Sequence, residues 1–331
     1  MRADRVFAYG AAAGLLGDLL FGDPRRGHPV AAFGRTAAAV ERVLWRDHRG
    51  WGALHTAVCA GGAVALAVAA DRRVRTSPAA AVALTGAATW AVVGGTSLVR
   101  EARTVGGALA AGDIEAARER LPHLCGRDPQ TLDADGIARA VVESVAENTS
   151  DAVVGALVWG AVAGVPGLVG FRSVNTLDAM VGHRSARHRR YGWASARLDD
   201  VAGWPGARLT AILATAVGGD PRGAVRAWHT DAGRHPSPNA GPVEAAFAGA
   251  LGVRLGGTLS YAGRVEHRPV LNGPGRAVRV GDIERAVRLS RRVSLLALGV
   301  TAAGRLLTAR RTAAPGTARS VGPPVTRGRT S

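Results

Sequence analysis

The chain has 331 residues, is 47% hydrophobic with only 5% aromatic residues, and carries a formal net charge of +17. It contains no lysine, so all 42 basic residues are arginine, which excludes a P-loop nucleotide site and a pyridoxal Schiff base because both require the lysine amine. The arginines fall between apolar segments and in the C-terminal tail, without zinc-finger spacing or an aromatic stacking platform; this argues against nucleic acid and for basic loops between membrane segments.

In chain order, residues 6–21 form a short apolar helix with Gly10, Gly14 and Gly17 on or near one face, a spacing suited to close helix packing. Asp18 interrupts the run and no cleavage site follows, so the segment reads as a retained helix rather than a signal peptide. Residues 22–35, GDPRRGHPVAAFGR, form a turn fixed by Pro24 and Pro29, and a short polar helix then ends at Gly50. Residues 51–70 and 78–99 are charge-free runs of about the length a bilayer requires, joined by the basic turn DRRVRTS. Together they predict a membrane hairpin. Cys59 and Cys125 suggest neither a disulfide framework nor a metal site.

From Arg100 to Ala140 the chain is polar and helical, with a loop near CGRDPQTLDADG. Glu143, Glu147 and Asp151 then fall at i, i+4 and i+8, which on a helix aligns three carboxylates along one face. Either that face is solvated, or a divalent cation carrying a nucleotide neutralises it. Residues 152–170 are apolar but interrupted by Gly164, Pro166 and Gly167, which predicts a re-entrant or discontinuous helix lining a cavity. Asn175 and Asp178 follow, sharing a face at i, i+3, and then the adjacent pair Asp199 and Asp200. Residues 205–218 and 293–307 are shorter apolar segments, containing Arg208 and Arg305. Residues 309–331 read as a disordered basic tail. The expected fold is all-α: one membrane helical domain over residues 1–308 with polar helical loops.

Four blocks in this order resemble the CobD/CbiB family of cobalamin biosynthesis, the adenosylcobinamide-phosphate synthases: GDPRRGHPVAAFGR; ESVAENTSDAVVGALVW; VNTLDAMVGHRSARHRRYGWASARLDDV followed by WPGARLTA; and DAGRHPSPNAGPVEAAFAGALGVRLGG. Two departures stand out. The family's usual Trp-Pro-Glu after Asn-Ala-Gly is Pro242-Val243-Glu244 here, and a common Tyr-Lys pair is His183-Arg184. The resemblance implies an integral membrane enzyme that uses ATP to join the free propionate carboxylate of adenosylcobyric acid to the amine of aminopropanol phosphate. The bilayer and other cobalamin-assembly enzymes would be its remaining partners, with no nucleic acid.

Activating a carboxylate requires Mg²⁺ ligands, cations for migrating phosphate charge and a base for the amine. In the light of the resemblance, Glu143, Glu147, Asn148 and Asp151, with Asp199 and Asp200, are the expected Mg²⁺–ATP set. Asn175 and Asp178 either orient the amine or a water, or cap a helix. Arg197 either binds phosphate or pairs with Asp199 or Asp200. Arg234, His235, Ser237 and Asn239 either grip the phosphate of the amino alcohol or form a turn between helices. Asp23 and His28 supply the base or only fix their turn. Trp193 and Trp204 pack on the corrin or belong to an interfacial belt.

The positive-inside rule places the DRRVRTS turn in the cytoplasm, but arginine is abundant in nearly every loop, so that count discriminates poorly. The use of ATP places the turn outside and the site on the cytoplasmic face of the cell (inner) membrane. The competing functions are an AmpE-like membrane signalling protein and a corrinoid transporter. The first leaves the acidic and amide-rich blocks unexplained, and the second lacks a clear repeat pair.

Overall fold

The structure of the chain, a computed structural model, describes residues 3–23, 27–183, 185–261 and 264–313. α1 (Ala3–Phe21) lies along α4 (Pro78–Val92). A Cβ on Gly14 would stand 2.5 Å from the Gly86 carbonyl oxygen, so the glycine spacing of the first apolar run serves close helix contact. α2 (Pro29–Leu44) begins with proline at its first position, and His28 Nδ1 accepts a hydrogen bond from the Val30 N–H at 3.2 Å. α3 (Arg49–Val74) buries Gly52, Thr56 and Cys59 and turns Leu54, Val58 and Leu66 outward.

Among the described residues, three helical stretches are long and apolar enough to cross a membrane: α3, Pro78–Ala110 and Ala134–Gly182. α3 is uninterrupted. The second corrects the expectation of one continuous span over 78–99, because α4 stops at Val92 and α5 (Gly95–Ala110) starts after a two-residue break. Its exposed amides are not left bare. Asp18 on α1 accepts from the Thr96 N–H at 3.0 Å and the Thr96 hydroxyl at 3.1 Å, capping α5 from another helix.

The third stretch folds back on itself. α7 (Ala134–Thr149) leads through a π-turn, Ser150–Val154, into α8 (Gly155–Leu177), which ends in a second π-turn, Asp178–Gly182. Within α8, Gly164 takes φ 65 and ψ −144, a conformation that residues with a Cβ avoid. The two arms then lie against each other. A Cβ on Gly155 would overlap the Phe171 ring, and one on Gly167 would overlap the Trp159 carbonyl oxygen. Each arm has about ten residues and so reaches roughly 15 Å, about half of a bilayer's apolar thickness. The broken apolar segment is therefore a re-entrant hairpin, and the fold-back returns Asp178 to the level of α7.

α9 (Trp193–Val217) contains the 205–218 segment in its second half. α10 (Pro221–Asp231) and α11 (Ala240–Leu251) follow, and α11 is buried along its whole length. The all-α expectation holds with one addition, an antiparallel hairpin of β1 (Leu255–Tyr261) and β2 (Arg264–Leu271) whose register shifts at Gly256–Gly257. α12 (Gly281–Ala313) holds the 293–307 segment and continues beyond Ala309, where the tail was expected to begin; residues 314–331 lie outside the described residues. The polar stretch after α5 forms α6 (Ile114–Arg120), capped by Asp113, and a loop that carries Arg127 beneath α7.

Candidate active site

The open end of the re-entrant hairpin gathers side chains from α7, α8 and α9. Asp151, carried by the first π-turn, lies within the electrostatic reach of Glu147, Asp178 and Asp199. Arg172, one turn before Asn175, stands between Asp151 and Asp23. Asn175 ties the group together. Its Oδ1 accepts from Arg172 Nη1 at 3.4 Å and its Nδ2 donates to Asp199 Oδ1 at 3.4 Å. Glu147 is solvent-exposed although Glu143, Asp178, Arg127 and Arg268 surround it, so it forms the wall of a cleft rather than an outer surface. Burial and the neighbouring Asp178 push Asp199 up to about 7, against the bond from Asn175, which favours its charged form.

Glu143 does not share this cleft in the same way. It is 2% exposed, one oxygen pairs with Arg127 and the other accepts from the Gly256 N–H at 2.6 Å. Glu143, Glu147 and Asp151 remain neighbours but are engaged differently: Glu143 binds the start of β1 to α7, Glu147 faces the cleft, and Asp151 sits on the π-turn. Asn148 donates back to Ser144 at its carbonyl (2.9 Å) and hydroxyl (3.2 Å).

The 234–241 loop sits beside the cleft on a buried support. His235 Nδ1 accepts from the Ser237 N–H at 3.1 Å, which leaves the proton of the neutral ring on Nε2, 3.9 Å from Glu244 Oε1. Burial lowers the basicity of His235, and burial together with Glu143 holds Glu244 well above the ordinary carboxyl range. Ser237 Oγ accepts from the Asn239 and Ala240 N–H groups at 3.2 and 3.1 Å, capping the first turn of α11. Asn239 donates to the Asp200 carbonyl at 2.9 Å and accepts from Arg208 at 3.1 Å, so it clamps α9 to α11. Arg234 points elsewhere, pairing with Asp231 at 3.5 Å. A cavity of about 1020 Å³ opens on this side, with Asp200, Arg197, Trp193 and His235 in its wall. Arg197 reaches Asp200 at 3.5 Å and is otherwise exposed; Trp204 faces outward with Arg208 over its ring at 4.7 Å. On the far side of the cleft, Asp23 lies 3.9 Å from His28 Nε2, and its buried Oδ1 has no hydrogen-bond partner.

A family model described as CobD/Cbib protein matches residues 11–290. The cobalamin biosynthesis protein CobD of Mycobacterium tuberculosis is 56% identical over 290 residues, covering 86% of this chain and 91% of that protein. The chain belongs to the CobD/CbiB family. Further CobD/CbiB relatives, both cobalamin biosynthesis proteins CobD, come from Chromobacterium violaceum, at 44% identity over 84% of this chain, and Rhodobacter capsulatus, at 41% over 83%; each is covered to 90%. No solved structure matches the chain. The four CobD/CbiB blocks converge in space: the first brings Asp23, the second Glu147 and Asp151, the third Asn175, Asp178 and Asp199, and the fourth the loop that clamps Asp200. Sequence reasoning missed Arg127, Arg172, Arg208, Arg268 and Glu244, whose roles depend on tertiary pairing. Glu244 alone left a signal, as a carboxylate inside the apolar run that follows the Asn-Ala-Gly string.

Among the described residues no three His, Cys, Asp or Glu side chains are placed to hold a metal ion by themselves. Mg²⁺ takes one or two carboxylates together with phosphate oxygens and waters; Glu147, Asp151 and Asp178 are the clustered carboxylates that could serve such an ion.

Proposed function

We propose that the chain is an ATP-dependent acid–amine ligase that joins the free propionate carboxylate of adenosylcobyric acid to the amine of aminopropanol phosphate, producing adenosylcobinamide phosphate. One observation carries the reading. A CobD/CbiB chain folds a re-entrant hairpin so that its open end holds a cluster of carboxylates spaced by Arg172 and Asn175. Such a cluster suits phosphoryl transfer, where catalysis consists of positioning and neutralising charge. Mg²⁺ would be held by two of Glu147, Asp151 and Asp178 and would neutralise charge on the transferred phosphoryl oxygens.

The chain's own groups take the remaining roles. Arg172 offsets charge at the inner end of the cleft. The Asn175 bond favours the carboxylate form of Asp199. Asp199, titrating near neutral pH, removes the proton from the substrate ammonium so that the free amine attacks the activated carboxyl. The carboxylate takes the γ-phosphoryl group as ADP departs, the amine then displaces inorganic phosphate, which carries off the second amine proton, and the amide remains.

The position of α3 supports a cytoplasmic site in the inner membrane. Its N-terminal Arg49 contacts Trp193 beside the site, whereas the DRRVRTS turn lies at its opposite end. ATP is available only inside the cell, so that turn is assigned to the outside. The signalling and transport readings leave the carboxylate cluster without a task. The test is a mass-spectrometric assay of the purified chain with adenosylcobyric acid, ATP and either aminopropanol or its phosphate. Formation of adenosylcobinamide phosphate with ATP consumption supports the reading; ATP and both substrates remaining unchanged removes it.

A further inference from the structure

The cavity of about 1020 Å³ beside the carboxylate cleft has an unusual charge balance. Arg49, Arg189, Arg197 and Arg208 line it, and the only carboxylate in its wall among the described residues is Asp200, which pairs with Arg197. Arg49, Arg189 and Arg208 have no carboxylate within ion-pair distance among the described residues. Arg208 is also set in place. Its Nη1 donates to the Pro238 carbonyl at 2.8 Å and to Asn239 Oδ1 at 3.1 Å, and its guanidinium stacks over Trp204. Arg49 lies over Trp193, 6.0 Å from the ring centre. Trp228 and His229 also line the cavity, their rings 18° from parallel with centroids 6.3 Å apart. Asp200 and Gly182 line it as well, and Gly182 packs directly against the Asp178 carboxylate. The cavity thus borders the carboxylate cluster.

We propose that this cavity is the nucleotide site of the chain, taking the polyphosphate of a nucleoside triphosphate on Arg49, Arg189, Arg197 and Arg208 and its base against Trp228. The inference rests on the ligase reading for its choice of nucleotide. Guanidinium groups bind phosphate oxygens in pairs and keep their charge at every relevant pH. Three of them without a carboxylate match a ligand with several negative charges. A corrinoid rimmed by neutral amides and bearing one free carboxylate does not need that set, and an amino alcohol phosphate carries its own cation. In a chain without lysine, this arginine wall takes the part that the lysine and glycine-rich loop play in P-loop proteins. The acidic helix then meets only the reactive end of the nucleotide.

The experiment measures binding of AMP-PNP with Mg²⁺, and of AMP, to the purified full chain by equilibrium dialysis. Arg189→Gln is the cleanest variant, because the Arg189 side chain makes no hydrogen bond or ion pair among the described residues; Arg208→Gln and Trp228→Ala accompany it, with Tm as a control for the Arg208 clamp. Each arginine substitution is expected to weaken AMP-PNP roughly tenfold and AMP much less, since one charge-assisted phosphate contact is lost. Trp228→Ala is expected to weaken both equally. Unchanged AMP-PNP affinity in Arg189→Gln overturns the proposal, and so does a steady-state effect of Arg189→Gln confined to the KM of the corrinoid or of the amino alcohol phosphate. A wild-type chain that binds AMP-PNP through these arginines yet forms no amide leaves this inference standing and removes the ligase reading.

Discussion

Asn175 Nδ2 lies 3.4 Å from Asp199 Oδ1, and this bond joins the re-entrant hairpin to α9 at the centre of the carboxylate cluster. It also opposes the influences that raise Asp199, of which burial is the largest and the charge of Asp178 the next. The bond thereby sets the pH at which Asp199 becomes a base. A base works when deprotonated, so turnover rises with pH through about 7, the value to which Asp199 is pushed. Asn175→Ala removes a contact that favours the carboxylate, and the acid limb of the kcat profile is expected to move to higher pH. Asp199→Asn is expected to abolish that limb and to lower kcat by about a hundredfold or more. A profile of kcat against pH for the three proteins checks both outcomes; an acid limb of unchanged position in Asn175→Ala rejects the coupling.

The hairpin turn provides a test of the fold. Gly164 has open space around it, so alanine there meets no clash and the whole cost is backbone strain, about 1–3 kcal/mol. Gly167 has ordinary backbone geometry, but a Cβ there collides with the Trp159 carbonyl. Gly164→Ala is expected to lower Tm while retaining activity below the transition, because the arms can still pack. Gly167→Ala is expected to force the arms apart and to lower kcat even where the chain is folded. Thermal unfolding and activity measured on the same preparations separate the two.

These positions also show what was legible in the sequence. A charge-free run of suitable length made α3 readable, and Gly164-Val165-Pro166-Gly167 marked the fold-back, because Gly and Pro act through local backbone geometry. The carboxylate triplet was only half readable. Helical spacing placed Glu143, Glu147 and Asp151 on one face, but it could not show the capture of Glu143 by Arg127 and Gly256, partners 16 and 113 residues away. Arg172 could not be distinguished among 42 arginines until the hairpin brought it back to Asp151. The β-hairpin was missed although Gly256-Gly257 before an alternating run was a usable signal, because the surrounding Ala, Gly and Val pattern suggested helix.

Glu244 links the buried support to stability. Burial, then the nearby Glu143 and Glu147, raises its folded pKa well above the ordinary value. The folded chain therefore keeps a proton that the unfolded chain releases, and stability falls as pH rises from the unfolded pKa of about 4.3 toward the folded one. Glu244→Gln keeps the shape and removes the titration. It is expected to raise Tm by a few degrees at about pH 8 and to leave it unchanged at about pH 3, where the carboxyl is neutral in both the folded and the unfolded chain. A lower Tm for the variant at the higher pH would show that Glu244 is needed as an anion by Arg127 and Arg268.

Glu143 and Glu147, one helical turn apart, should separate by function. Both oxygens of Glu143 are engaged by Arg127 and the Gly256 amide, whereas Glu147 faces the cleft beside Asp178. Glu143→Gln is expected to lower Tm by loosening β1 from α7, with Mg²⁺ dependence unchanged. Glu147→Gln is expected to keep Tm, raise the Mg²⁺ concentration needed for half-maximal rate and reduce kcat by a factor of roughly a hundred, because a carboxylate that holds the metal against building phosphoryl charge is lost. An isotope experiment fixes the step involved. Adenosylcobyric acid labelled with heavy oxygen in its free carboxylate should deliver one labelled atom to the released inorganic phosphate, since the carboxylate oxygen that attacks phosphorus departs with it when the amine forms the amide. Label recovered in AMP would replace the phosphoryl route with an adenylate. Near wild-type turnover of Glu147→Gln at ordinary Mg²⁺ would reduce Glu147 to a hydrated wall of the cleft and leave Asp151 and Asp178 as the metal's oxygen donors.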